Sequence, residues 1–239
     1  LRRVIVPSTV TELGNEAFCE CSSLAKLELN EGLQVVGQIA FAECAALRSV
    51  AMPSTVTKLG EAAFYKCNNL VEVRLNEGLH IIGYSLFTEC IGLRCVTIPS
   101  TVTELDEWAF RGCRNLSKVH LNEGLQTIGA WAFAECSALQ NITLPSTVTK
   151  LDERVFYECR NLSEVKLNEG LQIIERSAFY KCTALNSMTL PSTVTCLGDD
   201  TFNDCSNLAE VNFNEGLQVI GEGAFEDCTA LRSVTIPAT

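Results

Sequence analysis

The stretch LSKVHLNEGLQTIGAWAFAECSA, residues 116–138, decides the fold because its pattern returns every 23 residues along the chain. Each complete unit has Phe at position 18 and Cys at position 21. A fixed period of this length is typical of repeat arrays, in which each unit packs against its neighbours. We expect residues 1–239 to form one domain of ten units and a partial eleventh. The units open at Leu1, Leu24, Leu47, Leu70, Leu93, Leu116, Leu139, Leu162, Leu185, Leu208 and Leu231.

A second period of 46 residues lies over the first. Odd units carry PSTVT after their first six residues, whereas even units carry NEGLQ or, once, NEGLH. Proline fixes φ in a turn, and the glycine after Asn-Glu can adopt a positive φ. The two sequences are interpreted as alternative solutions to one turn.

Within the quoted unit, the alternation of apolar residues around Lys118 and His120 predicts a short strand with one buried face. A second extended segment follows the turn and ends near Gly129. The apolar residues of 132–139 then fall at offsets of one, four and seven, which predicts a short helix of about two turns.

These elements predict an α/β repeat solenoid, a right-handed coil with a parallel sheet of short strands on its concave face and short helices on the opposite side. Neither end of the sequence carries a polar capping unit. We therefore expect a fragment of a longer array that associates end to end, because repeat arrays depend on caps for solubility.

The position-21 cysteines are expected to form a buried column in which each thiol acts as a small apolar group. A linear column cannot bring four ligands to one zinc ion, and the two histidines of the chain lie elsewhere. Equivalent cysteines on adjacent units point the same way and stay further apart than a disulfide allows. We expect no metal and no cofactor, and reduced thiols.

The run L-x-x-V-x-[IL]-P-x-x-V-T-x-[IL]-G-x-x-A-F-x-x-C resembles the BspA-like, or treponemal-type, leucine-rich repeats over the whole chain. That resemblance implies a long surface protein of an anaerobic bacterium or a protist, of a kind that includes adhesins. It also favours a secreted or cell-surface location, which the residues themselves do not fix.

Composition excludes several classes of partner. Lys and Arg number 18 against 29 Asp and Glu, and the net charge of -11 argues against nucleic acid, which is bound by clustered basic residues. No apolar run approaches the roughly 20 residues of a membrane-spanning helix. A protein ligand remains the favoured partner.

Outward strand positions vary freely between units and are the first candidate binding surface. A locally basic patch is expected on the concave face, suited to an acidic protein segment. The alternative is that mixed charges only keep the open sheet face soluble. The patch comprises Arg74, Thr97, Lys118, His120, Thr143 and Lys166.

Position 16 supplies a second candidate surface. Trp108 and Trp131 occupy it in consecutive units, with Arg154 next in line for a cation–π contact. Exposed paired aromatic residues are typical of protein-binding hot spots. The alternative is that the indoles cover a shallow gap or pack against another part of the protein.

Three functional hypotheses follow. A non-enzymatic protein-binding scaffold, in the form of an adhesin or surface-recognition module, is favoured over a structural spacer. An enzyme that uses Cys95, with His120 diagonal to it and Asn141 beyond, is the third. Diagonal neighbours on a sheet are about 7–8 Å apart, which disfavours the third hypothesis.

Overall fold

The computed structural model describes residues 1–235, and the last four residues of the partial eleventh unit lie outside the described part. Each unit contributes a three-residue strand from positions 3–5, and units 1–10 also contribute a two-residue strand from positions 12–13. The longer strands are β1 Arg3–Ile5, β3 Lys26–Glu28, β5 Ser49–Ala51, β7 Glu72–Arg74, β9 Cys95–Thr97, β11 Lys118–His120, β13 Asn141–Thr143, β15 Glu164–Lys166, β17 Ser187–Thr189, β19 Glu210–Asn212 and β21 Ser233–Thr235. The shorter strands are β2 Glu12–Leu13, β4 Val35–Val36, β6 Lys58–Leu59, β8 Ile81–Ile82, β10 Glu104–Leu105, β12 Thr127–Ile128, β14 Lys150–Leu151, β16 Ile173–Ile174, β18 Cys196–Leu197 and β20 Val219–Ile220.

The longer strands form the front face of a solenoid, and every strand pairing in the structure is parallel and joins adjacent units in register. In β9, for example, Cys95 and Thr97 are exposed while Val96 between them is buried. The predicted strand, its buried face and the parallel stacking of units are therefore confirmed.

The predicted helices are wrong: residues 1–235 contain no helix. Positions 14–21 form a chain of turns whose alternate N–H groups bond within the unit and to the next unit. Ala134 N donates to Trp131 O at 3.0 Å, whereas Phe133 N donates to Val155 O of the next unit at 3.0 Å. In an α-helix, successive N–H groups beyond the first turn bond to carbonyls four residues earlier in the same segment, so a ladder that sends alternate N–H groups to the next unit excludes a helix.

Backbone dihedrals give a second reason why no helix forms. In each complete unit, positions 16 and 20 have positive φ, as in Trp131 and Glu135, both at 60°. A residue in the left-handed region interrupts a right-handed helix. The offsets of one, four and seven show only which residues face the core. An α-helix and this chain of turns bury residues at the same offsets, so the offsets do not distinguish the two structures.

The core contains a continuous column of phenylalanine rings. Consecutive position-18 rings stack with centroids 5.3–5.9 Å apart and with their planes within 16° of parallel. The eight rings from Phe41 to Phe202 have no exposed surface, and Phe18 and Phe225 at the two ends are half-buried. Stacking of this geometry adds about 0.5–1.5 kcal/mol per pair to the burial itself.

The two turn sequences act as alternating side-chain links between units. In even units the turn asparagine reaches back to the preceding odd unit, as when Asn122 Nδ2 donates to Pro99 O at 2.6 Å and Val102 O at 3.0 Å. In odd units the turn serine binds the preceding even unit, as when Ser146 N donates to Glu123 Oε2 at 3.1 Å. Each turn type therefore ties its unit to the one before by a different bond.

The glycine of the NEG turn has a role other than the expected one. Only Gly32 among these five glycines adopts a positive φ, of 112°. At Gly124 an added Cβ would lie 3.0 Å from Asn122 Oδ1 and 3.2 Å from the Ser100 carbonyl oxygen. Glycine is needed there because the asparagine link brings the side chain and the preceding unit close.

Strand pairing is interrupted between units 6 and 7. Front strands β11 and β13 do not pair, and neither do β12 and β14. Other breaks affect one sheet at a time, so within residues 1–235 this is the one junction at which both sheets stop. The turn ladder continues through it, since Trp131 N donates to Glu153 O at 2.9 Å. We call this junction the 6/7 seam.

Candidate functional site: the front face around the 6/7 seam

All six residues of the predicted patch are exposed on the front face, from Arg74 in unit 4 to Lys166 in unit 8. The structure therefore brings them to one surface, as the repeat phase requires. They lie on strands β7, β9, β11, β13 and β15, with one or two patch residues on each strand.

The patch is less basic than its sequence indicates, because two of its three cations are paired with carboxylates on their own strands. Arg74 Nε lies 2.7 Å from Glu72 Oε1, and Lys166 Nζ lies 3.5 Å from Glu164 Oε1. Positions 3 and 5 of a strand lie on the same face, which makes these pairs local. Within residues 1–235, no carboxylate lies within 4.0 Å of Lys118 Nζ.

The 6/7 seam opens a depression of about 550 Å³ on the front face. Lys118 and His120 line one side of it, and Asn141 and Thr143 line the other. These four residues have polar side chains that can bind a ligand. Sequence reasoning selected three of these four for the patch, but it gave no sign of the break that groups them.

The Cys95 hypothesis gains no geometric support. Strand register sets Lys118 directly beside Cys95 and sets His120 beside Thr97, so the imidazole is diagonal to the thiol. Asn141 lies across the seam from β11. Cys95 is exposed, and its thiol makes no hydrogen bond to another side chain or carbonyl within residues 1–235.

The position-16 surface is an aromatic ladder interleaved with arginine. The Trp108 and Trp131 rings have centroids 6.2 Å apart, and Arg154 lies 4.8 Å from the Trp131 centroid, as the repeat phase predicts. Arg111 also lies 4.8 Å from Trp108 and 5.7 Å from Trp131. Both indoles are half-buried, and their faces are engaged by guanidinium groups of the same chain.

The ladder is longer than the sequence indicated. Tyr84 stacks on Trp108 with centroids 6.2 Å apart, and Tyr157 lies 5.3 Å from Trp131 and 4.8 Å from Tyr180. These residues were missed because they occupy positions 15 and 19 rather than 16. The signal that could have found them is that positions 15 and 19 lie beside position 16 in the chain of turns.

The position-21 cysteines from Cys44 to Cys228 are buried, and all thirteen cysteines are free. Each of these nine thiols also donates to the phenylalanine carbonyl of the preceding unit, at 3.0–3.3 Å. Burial raises the pKa of all nine thiols, to about 12 at Cys44 and to about 11 at Cys228. Raised pKa values hold them as neutral, unreactive thiols.

No group of three or more His, Cys, Asp or Glu side chains within residues 1–235 is arranged to hold a metal ion. A search of the same residues finds no helix with the length and hydropathy of a membrane span.

A family model, the BspA type leucine rich repeat region, matches residues 1–117, 81–205 and 126–239 in six copies. The chain belongs to this family. The resemblance drawn from the 23-residue pattern is thereby confirmed. Comparison of the leucine-rich repeat chain with curated proteins finds no match.

Solved structures with the same fold come from several bacteria. A leucine-rich repeat protein from Bacteroides ovatus has 25% identity and a TM-score of 0.59, with 97% of this chain and 78% of that chain covered. The T. pallidum leucine-rich repeat protein has 28% identity and a TM-score of 0.57, with 77% of each chain covered. A leucine rich cell surface protein from Faecalibacterium prausnitzii has 24% identity and a TM-score of 0.57, with 100% of this chain and 80% of that chain covered. At this identity the similarity shows the fold alone.

Proposed function

We propose that this leucine-rich repeat chain is a non-enzymatic scaffold that binds a protein partner through its front face, as an adhesin or surface-recognition module. The observation that carries the proposal is the contrast between positions on one strand. In β9 and β11, positions 3 and 5 are exposed and differ from unit to unit, whereas the residue between them is valine in both and turns towards the core. Variation at these exposed strand positions supports recognition, because the fold does not dictate those residues.

Membership of a leucine-rich repeat family adds support, since such repeats generally serve as protein-binding scaffolds. The Faecalibacterium prausnitzii relative in fold is named as a cell surface protein. A surface location is proposed for this chain on that similarity.

Charge reversal on the front face tests the proposal. A triple variant with Arg74→Glu, Lys118→Glu and Lys166→Glu is compared with a matched variant carrying Lys58→Glu, Arg160→Glu and Arg176→Glu, whose residues are exposed away from the front face. Both variants change the net charge by the same amount. We expect a partner captured by the wild-type chain from host or cellular extracts, then purified and titrated, to lose affinity for the first variant only.

Two outcomes of that experiment would contradict the proposal. Equal affinity of the purified partner for both variants would remove the front face from recognition. A wild-type chain that captures no partner would favour the structural spacer instead.

The aromatic ladder is a second candidate surface, favoured by the continuous run of five rings from Tyr84 to Tyr180. Replacing Trp108 by Ala tests it by separating binding from folding. Loss of partner affinity without a change in the free energy of unfolding would support recognition. Loss of stability with unchanged affinity would assign the ladder to folding alone.

A further inference from the structure

The 6/7 seam leaves main-chain hydrogen-bonding groups on the front face without strand partners. Strand β11 is paired with β9, and the N–H groups of Lys118 and His120 face β9. Because successive N–H groups of a strand point to opposite sides, those of Val119 and Leu121 face unit 7. None of the backbone bonds that would join β11 to β13 is formed. These N–H groups border the depression and can donate to an acceptor supplied from outside.

Unit 7 presents equivalent groups from the other side. Strand β13 pairs with β15, as shown by Leu144 N donating to Lys166 O at 2.9 Å. Its alternate N–H groups, those of Asn141 and Thr143, therefore turn towards unit 6. The depression thus has main-chain donors on both sides.

Four side chains around the depression are also uncommitted. Those of Lys118, His120, Asn141 and Thr143 make no hydrogen bond or ion pair to any other part of residues 1–235 that meets ordinary distance limits. The one acidic residue in the lining, Glu123, is already bound to Ser146, with its Oε2 3.1 Å from the backbone N and 3.2 Å from Oγ. Lys118 therefore supplies the cation that is free to bind a ligand.

We infer that the depression at the 6/7 seam is a binding pocket for a carboxylate side chain carried on an extended acidic segment of the protein partner. The inference rests on the proposed function and specifies where on the front face the partner binds and what chemistry it presents. Lys118 forms the ion pair, and the strand N–H groups on both sides donate to the carboxylate oxygens. Charge-assisted hydrogen bonds of this kind are roughly twice as strong as neutral ones.

Charge at the flanks of the patch explains why the pocket is the point of recognition. Arg74 and Lys166 are paired with Glu72 and Glu164, so an acidic partner would have to displace an existing carboxylate to reach them. Lys118 requires no such displacement. An exposed pair that must first be broken contributes little to the binding of a third charge.

Peptide binding tests the pocket directly. The probes are two fluorescein-labelled octapeptides, one of alternating Thr and Glu and one of alternating Thr and Gln, measured by fluorescence polarisation at low ionic strength with the whole chain. Lys118→Met removes the charge and keeps the stem. Lys26→Met is the matched control, because Lys26 occupies the same position in unit 2 and is paired with Glu28 at 2.7 Å.

We expect the glutamate peptide to bind the wild-type chain, the Lys118→Met variant to bind it about tenfold more weakly, and the Lys26→Met variant to bind within twofold of wild type. The glutamine peptide should bind at least tenfold more weakly than the glutamate peptide. Unchanged melting temperatures of both variants would show that the comparison reports binding.

Equal binding of the glutamate peptide to the two lysine variants, or no binding of it by the wild-type chain, would overturn the pocket. If either result is found while a purified partner still loses affinity for the triple front-face variant, the scaffold function stands and only the pocket fails. If the partner binds the triple variant as wild type, the scaffold function fails as well.

Discussion

Cys136 Sγ lies 3.3 Å from the carbonyl oxygen of Phe110 in the preceding unit. The same carbonyl accepts the backbone N–H of Cys113 at 3.2 Å. Position 21 therefore supplies a second donor to a buried carbonyl group as well as filling space. This relationship recurs along the column and explains why the thiol is kept where alanine or valine would satisfy a purely apolar core.

Replacing Cys136 by Ser or by Val separates the two roles of the thiol. Serine keeps the donor and is expected to change the free energy of unfolding by less than about 1 kcal/mol. Valine removes the donor and adds a methyl group beside stacked rings, which should destabilise by about 1–3 kcal/mol. Urea denaturation measures both, with exposed Cys95→Ser as the neutral control. A valine variant more stable than the serine variant would show that only packing matters.

Stability should fall at alkaline pH because the buried thiols resist ionisation. Their pKa values are raised above the ordinary 9.0, to about 11 at Cys228 and about 12 at Cys44. Below pH 9 both folded and unfolded chains hold the thiols neutral, so this contribution to stability is fully present. Above pH 9 the unfolded chain releases protons that the folded chain retains, and stability is lost as the pH rises through the folded-state values.

The loss amounts to about 1.4 kcal/mol per pH unit for each thiol. Urea midpoints measured between pH 7.5 and 10.5 under reducing conditions should therefore decline steeply above pH 9. Lysine and tyrosine residues ionise in the same range, so a Cys136→Ala variant is the control, and its slope should be shallower by one thiol. Identical slopes would contradict the assignment.

Removing one ring from the phenylalanine column should destabilise the chain according to its place in the column. Phe133 is fully buried between Phe110 and Phe156, and Phe133→Ala should cost about 3–5 kcal/mol. Phe18 is half-buried with a single stacked neighbour, so Phe18→Ala should cost less. An unchanged denaturation midpoint for Phe133→Ala would be incompatible with the column.

The repeat phase was sufficient to predict what faces inward. Phe133 and Cys136 are buried, Lys118 and His120 are exposed, and Trp108 lies beside Trp131, because residues one period apart must occupy equivalent places in a stacked array. The repeat did not allow the local backbone conformation to be predicted. Positive φ at Trp131 and Glu135 has no compositional signal, since neither residue type favours the left-handed region.

The site could be predicted only in part for a related reason. Exposure of Lys118 follows from the repeat, but its lack of a partner depends on which carboxylates fall on the same strand, as Glu72 does for Arg74. The 6/7 seam has no counterpart in the repeat pattern, which runs through units 6 and 7 without interruption. Asp152 lies at the seam, at position 14, where most units have glycine. Asp106 occupies the same position in unit 5, yet its N–H still donates to Ile82 O at 2.9 Å. An aspartate at position 14 therefore does not by itself account for the break.

The asparagine link between paired units should contribute more to stability than the glutamate link. Asn122 makes three bonds, two from Nδ2 to the preceding unit and one in which its Oδ1 accepts from Gly124 N at 2.6 Å. Asn122→Ala should therefore cost about 2–3 kcal/mol. Glu123→Ala removes an exposed link and should cost about 1 kcal/mol or less. Thermal denaturation of the two variants tests the order, and a reversed order would be evidence against it.

Backbone hydrogen exchange should be uneven along the front face. Amides of Asn141 and Thr143 turn towards the 6/7 seam without strand partners, whereas those of Lys118 and His120 are paired with β9. Unpaired amides exchange without an opening step, so the first pair should exchange faster by at least tenfold. Residue-resolved exchange by NMR measures this, and the equivalent amides of β15, paired with β13, are an internal control. A partner carboxylate in the seam would accept hydrogen bonds from the amides of Asn141 and Thr143. The glutamate octapeptide should therefore slow the exchange of these two amides and leave the exchange of the β15 amides unchanged. In the chain without peptide, equal exchange across all three strands would show that the seam is closed in solution.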